Sequence, residues 1–233
     1  MKSTILDKDK LVNSVFSEVH NKYDLMNDIM SFGIHRIWKE KFISWLNPQP
    51  DTKLIDVAAG TGDIAKMFNE KFNKLNQITC VEPNKEMFNQ GKKKLQNFKN
   101  LKWINAKAEK IPVNDNSFDY YTISYGIRNV TNINQALKEA FRILRPGGRF
   151  MCLEFSKVNN EIINFVYKKY SNAIPFIGRL IVGNDEPYKY LIKSINEFYN
   201  QEQLVKLMSK NGFSNIEFRN LSNGISAIHS GWK

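Results

Sequence analysis

The 233-residue sequence predicts an α/β fold built on a doubly wound, mostly parallel sheet, and three observations carry that reading. From Lys53 onward short apolar runs alternate with helical-period segments; the first run ends in a glycine turn that opens a helix; the second ends in an acidic residue, Glu82, 22 residues past Gly60. Repeated strand-helix-strand units place successive strands parallel, with helices crossing over both faces.

From Lys10 to Leu46 apolar residues recur at helical spacing in three groups: Leu11, Val15, Phe16 and Val19; Leu25, Ile29 and Met30; Ile37, Phe42, Trp45 and Leu46. Three helices are expected, closed by the turn Asn47-Pro48-Gln49-Pro50, because a residue before proline is pushed out of the helical region. The first strand is then Lys53 to Val57, followed by the loop Ala58-Ala59-Gly60-Thr61-Gly62 and a helix from Asp63 to Phe72. A second unit runs from the strand Gln77 to Val81 through a helix over Lys85 to Phe98 into a third strand, Leu101 to Asn105. Phe118 to Ser124 forms strand four, Asn134 to Leu144 a helix, Arg145-Pro146-Gly147-Gly148 a turn, and Arg149 to Phe155 strand five. Beyond Ser156 the period changes, and Glu161 to Phe198 reads as a helical cap insert interrupted at Pro175, Gly178, Gly183 and Pro187. Gln201 to Lys210 is a further helix stopped at Gly212; Asn215 to Asn220 and Ile225 to His229 are strands around the Asn223-Gly224 turn. The division is one domain over 1–233: an N-terminal helical segment (1–50), a ligand-binding core (51–156), the cap insert (157–199), and a C-terminal helix with a strand pair (200–233).

An apolar share of 42% with 24% charged residues is an ordinary globular mix and excludes disordered and low-complexity classes. Lys and Arg number 34 against 23 acidic residues, a formal charge of +11, which favours acidic partners. Nucleic acid and an anionic membrane both qualify, since either attracts a basic face within about 8 Å in physiological salt, and charge alone does not choose between them. Cys80 and Cys152 each lie inside an apolar run and read as inert core thiols rather than a disulfide or metal pair, so no metal site is expected. Met1 to Lys10 alternates charges and lacks the apolar stretch of a signal peptide, which predicts a cytoplasmic protein. The most apolar window, Ala173 to Gly183, is broken by Pro175 and Arg179 and falls short of the roughly 18 residues that span a bilayer.

A glycine turn after strand one lets ligand atoms approach backbone N–H groups, and a carboxylate at the end of strand two can accept both ribose hydroxyls of an adenosine. That spacing also fits a NAD-binding domain. Three features tip the balance. Ala65 stands at the third glycine position of the dinucleotide pattern. Pro112 with Phe118-Asp119 before strand four, and Arg145-Pro146-Gly147-Gly148 before strand five, resemble landmarks of class I S-adenosylmethionine-dependent methyltransferases. The two-stranded ending also fits that class. The resemblance implies a Rossmann-like, seven-stranded, mostly parallel sheet with the last strand antiparallel, flanked by the N-terminal helices and the cap.

The string from Tyr23-Asp24-Leu25-Met26-Asn27 through Phe32-Gly33-Ile34-His35-Arg36-Ile37-Trp38 is similar to the amino-terminal signature of the UbiE family of quinone-biosynthesis C-methyltransferases. Arg142 to Ser156, Tyr125-Gly126-Ile127-Arg128-Asn129-Val130 and the closing Gly224 to Gly231 segment resemble the same family, so the likeness spans Val15 to Lys233. Ile143 and Arg145 stand where Val and Lys are more usual, and Glu82 replaces a more frequent Asp. The resemblance implies S-adenosylmethionine as cofactor and a ring carbon of a polyprenylated benzoquinol or naphthoquinol as methyl acceptor. It implies that Thr61 with Gly60 and Gly62 holds the methionine end, that Glu82 takes the ribose and that Ser124 ends strand four beside it. Lys107-Ala108 occupies the place of an acidic or amide residue beside a small one, which leaves only backbone contacts to the adenine.

Quinol carbon is a weak nucleophile until a neighbouring hydroxyl ionises, and phenols ionise near pH 10, so a cation and a proton acceptor are wanted. The resemblance points to Arg128 as the cation stabilising the quinolate oxygen and to Asn129 as a hydrogen-bonding orienter; the plain alternative for Arg128 is a surface salt bridge. Asp24 or His35 would accept the proton, directly or through water, with His35 equally readable as a packing residue. Tyr23, Phe32 and Trp38 would form an aromatic lid facing the sulfonium, with helix packing the alternative for Trp38. The apolar and basic stretch Phe165 to Val182 suits a greasy substrate met at an anionic membrane surface, and equally a plain cap helix. A quinone-biosynthesis complex or a homodimer are the protein partners left open; nucleic acid is not expected, and Ser124-Tyr125-Gly126-Ile127 in place of the motif of base-amino methylation argues against that chemistry, though not against every RNA methyltransferase. The competing readings are an RNA or other small-molecule methyltransferase and a non-catalytic cofactor-binding subunit.

Overall fold

The computed structural model describes residues 33–71, 76–158 and 184–233, together with Asp28, Ser31, Glu161, Tyr167, Lys169, Tyr170, Ile174, Pro175 and Arg179. Strands β1 (Lys53–Val57), β2 (Gln77–Val81), β3 (Leu101–Ile104), β4 (Phe118–Ser124), β5 (Leu144–Phe155), β6 (Ser214–Leu221) and β7 (Ser226–Trp232) form one sheet in the order β3-β2-β1-β4-β5-β7-β6. β1 to β5 pair in parallel, and β7 lies antiparallel between β5 and β6, as the sequence predicts. The chain turns from one side of β1 to the other between β3 and β4, so the carboxyl ends of β1 and β4 part and open a crevice.

The central strands are apolar on both faces because both are covered: four of the five residues of β1 and six of the seven of β4 are buried. Alternation along β1 sends Leu54 into one core with Phe42, Phe68 and Phe155, and Ile55 into the opposite core with Tyr121, Leu137 and Phe150. Helices α1 (His35–Leu46), α2 (Asp63–Lys71), α3 (Lys85–Lys94), α4 (Ile133–Ile143), α5 (Glu186–Glu197) and α6 (Gln201–Lys210) supply the outer layers. Three begin on an asparagine whose side chain accepts a first-turn N–H: Asn84 from Met87, Asn132 from Gln135 and Asn200 from Gln203. α1 packs on α2 and β5.

Several boundaries differ from expectation. The Arg145 to Gly148 turn is a bulge inside β5: Leu144 pairs with Phe118, pairing resumes at Tyr120 with Arg149, and the residues between stay tied to the C-terminal residue through Gly147 N–H to Lys233 O and Lys233 N–H to Gly148 O, both 3.0 Å. This also lengthens β7, whose Trp232 pairs with Arg149. α3 stops at Lys94 rather than Phe98, because Leu95 leaves the helix (φ −107°) to enter the core. The landmarks before β4 and β5 meet in space: Asp119 pairs with Arg145 and accepts the Lys53 N–H at 2.7 Å, locking the starts of β1, β4 and β5 together. Tyr23, Asp24 and Phe32 lie outside the described residues, as does most of the stretch before Asn184 that the sequence reads as a cap insert.

Candidate active site

Loop 58–62 closes the crevice behind β1, with Gly60 at φ +58° and Gly62 at φ +86°, backbone that L side chains rarely adopt. The two glycines face different surroundings. Among the described residues a Cβ on Gly60 would meet Met87 Cε, 3.7 Å away, whereas one on Gly62 would sit 2.5 Å from Leu95 Cδ1 and 3.2 Å from Trp103 Cζ2. Gly62 also donates its N–H to Ala59 O at 2.9 Å. Among the described residues Gly60 therefore has room for a side-chain atom in ordinary contact with Met87, while Gly62 is a packing position.

Glu82 follows β2 and is buried. Its Oε2 accepts the Gly60 N–H at 2.8 Å and its Oε1 the Asn84 N–H at 2.9 Å. Burial pushes its carboxyl up to about 7 despite those two bonds. Asn105, just past β3, donates to Glu82 O at 2.7 Å and Pro83 O at 3.0 Å, bracing the same corner. Nearby, the Ala108 side chain is buried in the core and Lys107 is exposed, its carbonyl accepting the Lys110 N–H at 3.2 Å.

Asp56 on β1 is fully buried; Thr122 Oγ1 donates to its Oδ1 at 2.8 Å, and burial pushes its carboxyl to about 7. Among the described residues Asp56 Oδ2 and Ser124 Oγ are buried without a hydrogen-bond partner. Both residues line a cavity of about 30 Å³ with Lys39, Thr61 and Tyr125, at the foot of the glycine loop. Lys39, from α1, donates to Asp63 Oδ2 at 2.8 Å; Lys94 donates to Asp63 Oδ1 at 2.9 Å and reaches Thr61 Oγ1 at 3.4 Å. Burial drives the Asp63 carboxyl upward, but the two lysines outweigh it and hold the group below the usual carboxylate range. α1 is thus bolted to the first turn of α2.

Past β4, Tyr125 takes φ +54° and residues Ile127–Asn129 form a single 3₁₀ turn. Arg128 is buried rather than exposed. Its Nη1 donates to Tyr125 O and to Glu154 Oε1, each at 2.7 Å, and its guanidinium lies 5.6 Å from the Phe155 ring centre. Burial raises the Glu154 carboxyl pKa, and Arg128 opposes that shift. Asn129 Oδ1 accepts the Tyr190 hydroxyl of α5 at 3.0 Å. Arg128 and Tyr190 line one groove of about 520 Å³ with Val130, Ile133, Phe198 and Tyr199.

His35 does not join this group. Its Nδ1 lies 2.9 Å from Ser31 Oγ and 3.7 Å from Asp28 Oδ1, and burial, then Lys39, lowers its pKa. It lines a separate cavity of about 320 Å³ beside Lys39, Asp63 and Lys66. Trp38 is a packing residue: buried edge-on against Phe155, it donates Nε1–H to Ser222 Oγ at 3.1 Å. Asp56, Lys39, Glu154 and Tyr190 escaped assignment from the sequence. An aspartate inside the apolar run Leu54 to Val57 and a glutamate inside the run Phe150 to Phe155 were the available signals; nothing in the sequence pairs Tyr190 with Asn129.

Comparison with known proteins places the chain. The profile of the ubiE/COQ5 methyltransferase family matches residues 4–233. A Rickettsia bellii protein named ubiquinone/menaquinone biosynthesis C-methyltransferase UbiE is 51% identical over 234 residues, covering 97% of this chain and 94% of that one. The mitochondrial 2-methoxy-6-polyprenyl-1,4-benzoquinol methylase of Dictyostelium discoideum is 43% identical over 259 residues, 97% of this chain and 82% of its own. Among solved structures, an S-adenosylmethionine-dependent methyltransferase from Thermotoga maritima superposes with a TM-score of 0.69 at 21% identity, covering 94% and 98% of the two chains. A Haemonchus contortus phosphoethanolamine N-methyltransferase bound to S-adenosylmethionine superposes with a TM-score of 0.63 at 14% identity, over 84% of this chain and 52% of that one. At such identities these two structures speak for the fold alone.

Proposed function

The chain belongs to the ubiE/COQ5 methyltransferase family, and from that membership we propose that it methylates a ring carbon of a polyprenylated quinol, 2-polyprenyl-6-methoxy-1,4-benzoquinol or demethylmenaquinol. The observation that carries this is half-identity along nearly the whole chain to relatives named for that reaction. A strain lacking the gene should accumulate the unmethylated quinone in its lipid extract and lose it when the gene is returned; an unchanged quinone profile would reject the assignment.

The residues present fit S-adenosylmethionine. The room beside Gly60, the buried Ser124 Oγ and Asp56 Oδ2 that have no partner among the described residues, and a carboxylate held by two N–H groups form a polar cradle at the crevice. Glu82 would hold the ribose: each oxygen has one backbone donor and retains a lone pair for a hydroxyl. Thr61 and Ser124 would face the methionine end, and the backbone at Lys107 and Ala108 the adenine. When bound, the cofactor supplies an electrophilic methyl group on a sulfonium.

The chain's task is then to make the ring carbon electron-rich. Arg128, a permanent cation fixed by Glu154 and the Tyr125 carbonyl, would lower the cost of ionising the hydroxyl beside that carbon, and Asn129 would donate to the same oxygen. Fixing the guanidinium beforehand avoids reorganisation as charge develops. For the proton acceptor Asp24 and His35 both stay open, directly or through water; His35 lines a different cavity from Arg128, and Asp24 lies outside the described residues.

We place the working protein at an anionic membrane surface, where its substrate resides. The net charge of +11 supports this, and among the described residues no helix is long and apolar enough to cross a bilayer. On α1 and its start, Ile37 and Ile34 are 51% and 38% exposed on either side of Arg36, whose guanidinium pairs with Asp28 at 2.7 Å; the exposed apolar pair suits the headgroup boundary.

A further inference from the structure

Among the described residues, the cap helix α5 reaches the turn after β4 through the side-chain bond from Tyr190 O–H to Asn129 Oδ1, 3.0 Å. An asparagine amide is two-ended, with an acceptor oxygen and a donor nitrogen, and an untethered one can present either. Here the phenol occupies the oxygen. Asn129 Nδ2 has no protein acceptor among the described residues, and Asn129 is half-buried, so the donor end is what remains to meet a ligand. Burial raises the Tyr190 phenol pKa, with Arg128 pulling the other way, so the group keeps its proton, and hence its donor role, across neutral pH. Tyr190 and Arg128 share the walls of one groove of about 520 Å³, which Asn129 itself does not line.

From this geometry we infer that Tyr190 is a positioning residue for methyl transfer: by holding Asn129 Oδ1 it turns the Asn129 Nδ2–H donors, next to the Arg128 cation, toward the quinol oxygen on which negative charge grows. The inference rests on the reading of Arg128 and Asn129 as the pair that stabilises that oxygen. It adds a specific duty for the cap. α5 completes the site by fixing the orientation of an amide on the sheet's edge, and a chain whose α5 were displaced would keep its cofactor cradle while losing the aligned donor.

A double-mutant cycle decides it. Purified wild type, Tyr190→Phe, Asn129→Ala and the double variant are assayed with S-adenosylmethionine and chemically reduced short-chain demethylmenaquinone and methoxy-benzoquinone analogues, with cofactor affinity measured by calorimetry and folding by thermal melting. Loss of one neutral hydrogen bond predicts a fall in kcat of about fivefold for Tyr190→Phe, with cofactor affinity and the quinol KM near wild type. In the Asn129→Ala background Tyr190→Phe should cost nothing more. An unchanged kcat in Tyr190→Phe, or an equal fall in both backgrounds, overturns the assignment of Tyr190 while leaving Asn129 in place. Full turnover by Asn129→Ala overturns the underlying reading and the inference with it.

Discussion

Arg128 Nη1 lies 2.7 Å from Glu154 Oε1, and the two side chains are 4% and 1% exposed. Removing one member of a buried ion pair leaves the other uncompensated, a cost of about 3–5 kcal/mol. Arg128→Ala should therefore melt well below wild type, and Arg128→Ala/Glu154→Gln should recover much of that loss without recovering turnover. Activity should fall from wild type through Arg128→Lys, which keeps charge but loses the fork, to Arg128→Ala, the last by about a hundredfold to a thousandfold. Thermal melts beside turnover separate the two effects; turnover restored in the double variant would make the pair purely architectural.

The glycines of the loop should fail in different ways. Gly60→Val fills the open side of the loop and should weaken S-adenosylmethionine binding more than it lowers stability. Gly62→Val drives a Cβ into Leu95 and Trp103 and should cost an extra 1–3 kcal/mol or so of folding stability through overpacking. Calorimetric affinity and melting temperature of both variants check the contrast; equal loss of affinity with equal stability would remove the distinction.

Glu82 and Asp56 both titrate near 7 in the folded chain, raised by burial from 4.5 and 3.8. The folded state therefore holds more protons than the unfolded chain between those values and about 7, so the stability of the cofactor-free protein should decline as pH rises through that window. Cofactor affinity should move oppositely, because ionised Glu82 is the form that accepts both ribose hydroxyls. Calorimetry at about pH 6 and pH 8 should show tighter binding at the higher value, flattened in Glu82→Gln.

Flotation with vesicles should show salt-sensitive binding to anionic lipid and little to neutral lipid, reduced by Ile34→Ser/Ile37→Ser, which removes the exposed apolar contact beside Arg36. Equal binding to both vesicle types would contradict the electrostatic part.

What could be read beforehand depended on how local its cause was. β1, β2 and β4 are apolar runs that bury themselves whatever surrounds them, and the spacing from Gly60 to Glu82 anticipated two groups that do meet, at 2.8 Å. The bulge at Arg145 to Gly148 was illegible because its strand character comes from pairing with Lys233 at the far end of the chain. The same holds for Lys39 with Asp63, Arg128 with Glu154 and Asn129 with Tyr190: polar side chains carry no periodicity that names a distant partner. Trp38 looked equally suited to a lid and to packing, and the distant Phe155 and Ser222 decide for packing.

The most direct test of quinol C-methylation supplies the purified chain with S-adenosylmethionine carrying a deuterated methyl group and each reduced quinone analogue in turn, then locates the label by mass spectrometry. Label on a ring carbon of at least one quinol, dependent on reduction and lost in Arg128→Ala/Glu154→Gln, is the predicted result. Label on a hydroxyl oxygen, or no transfer to either quinol by protein that binds the cofactor normally, would contradict it.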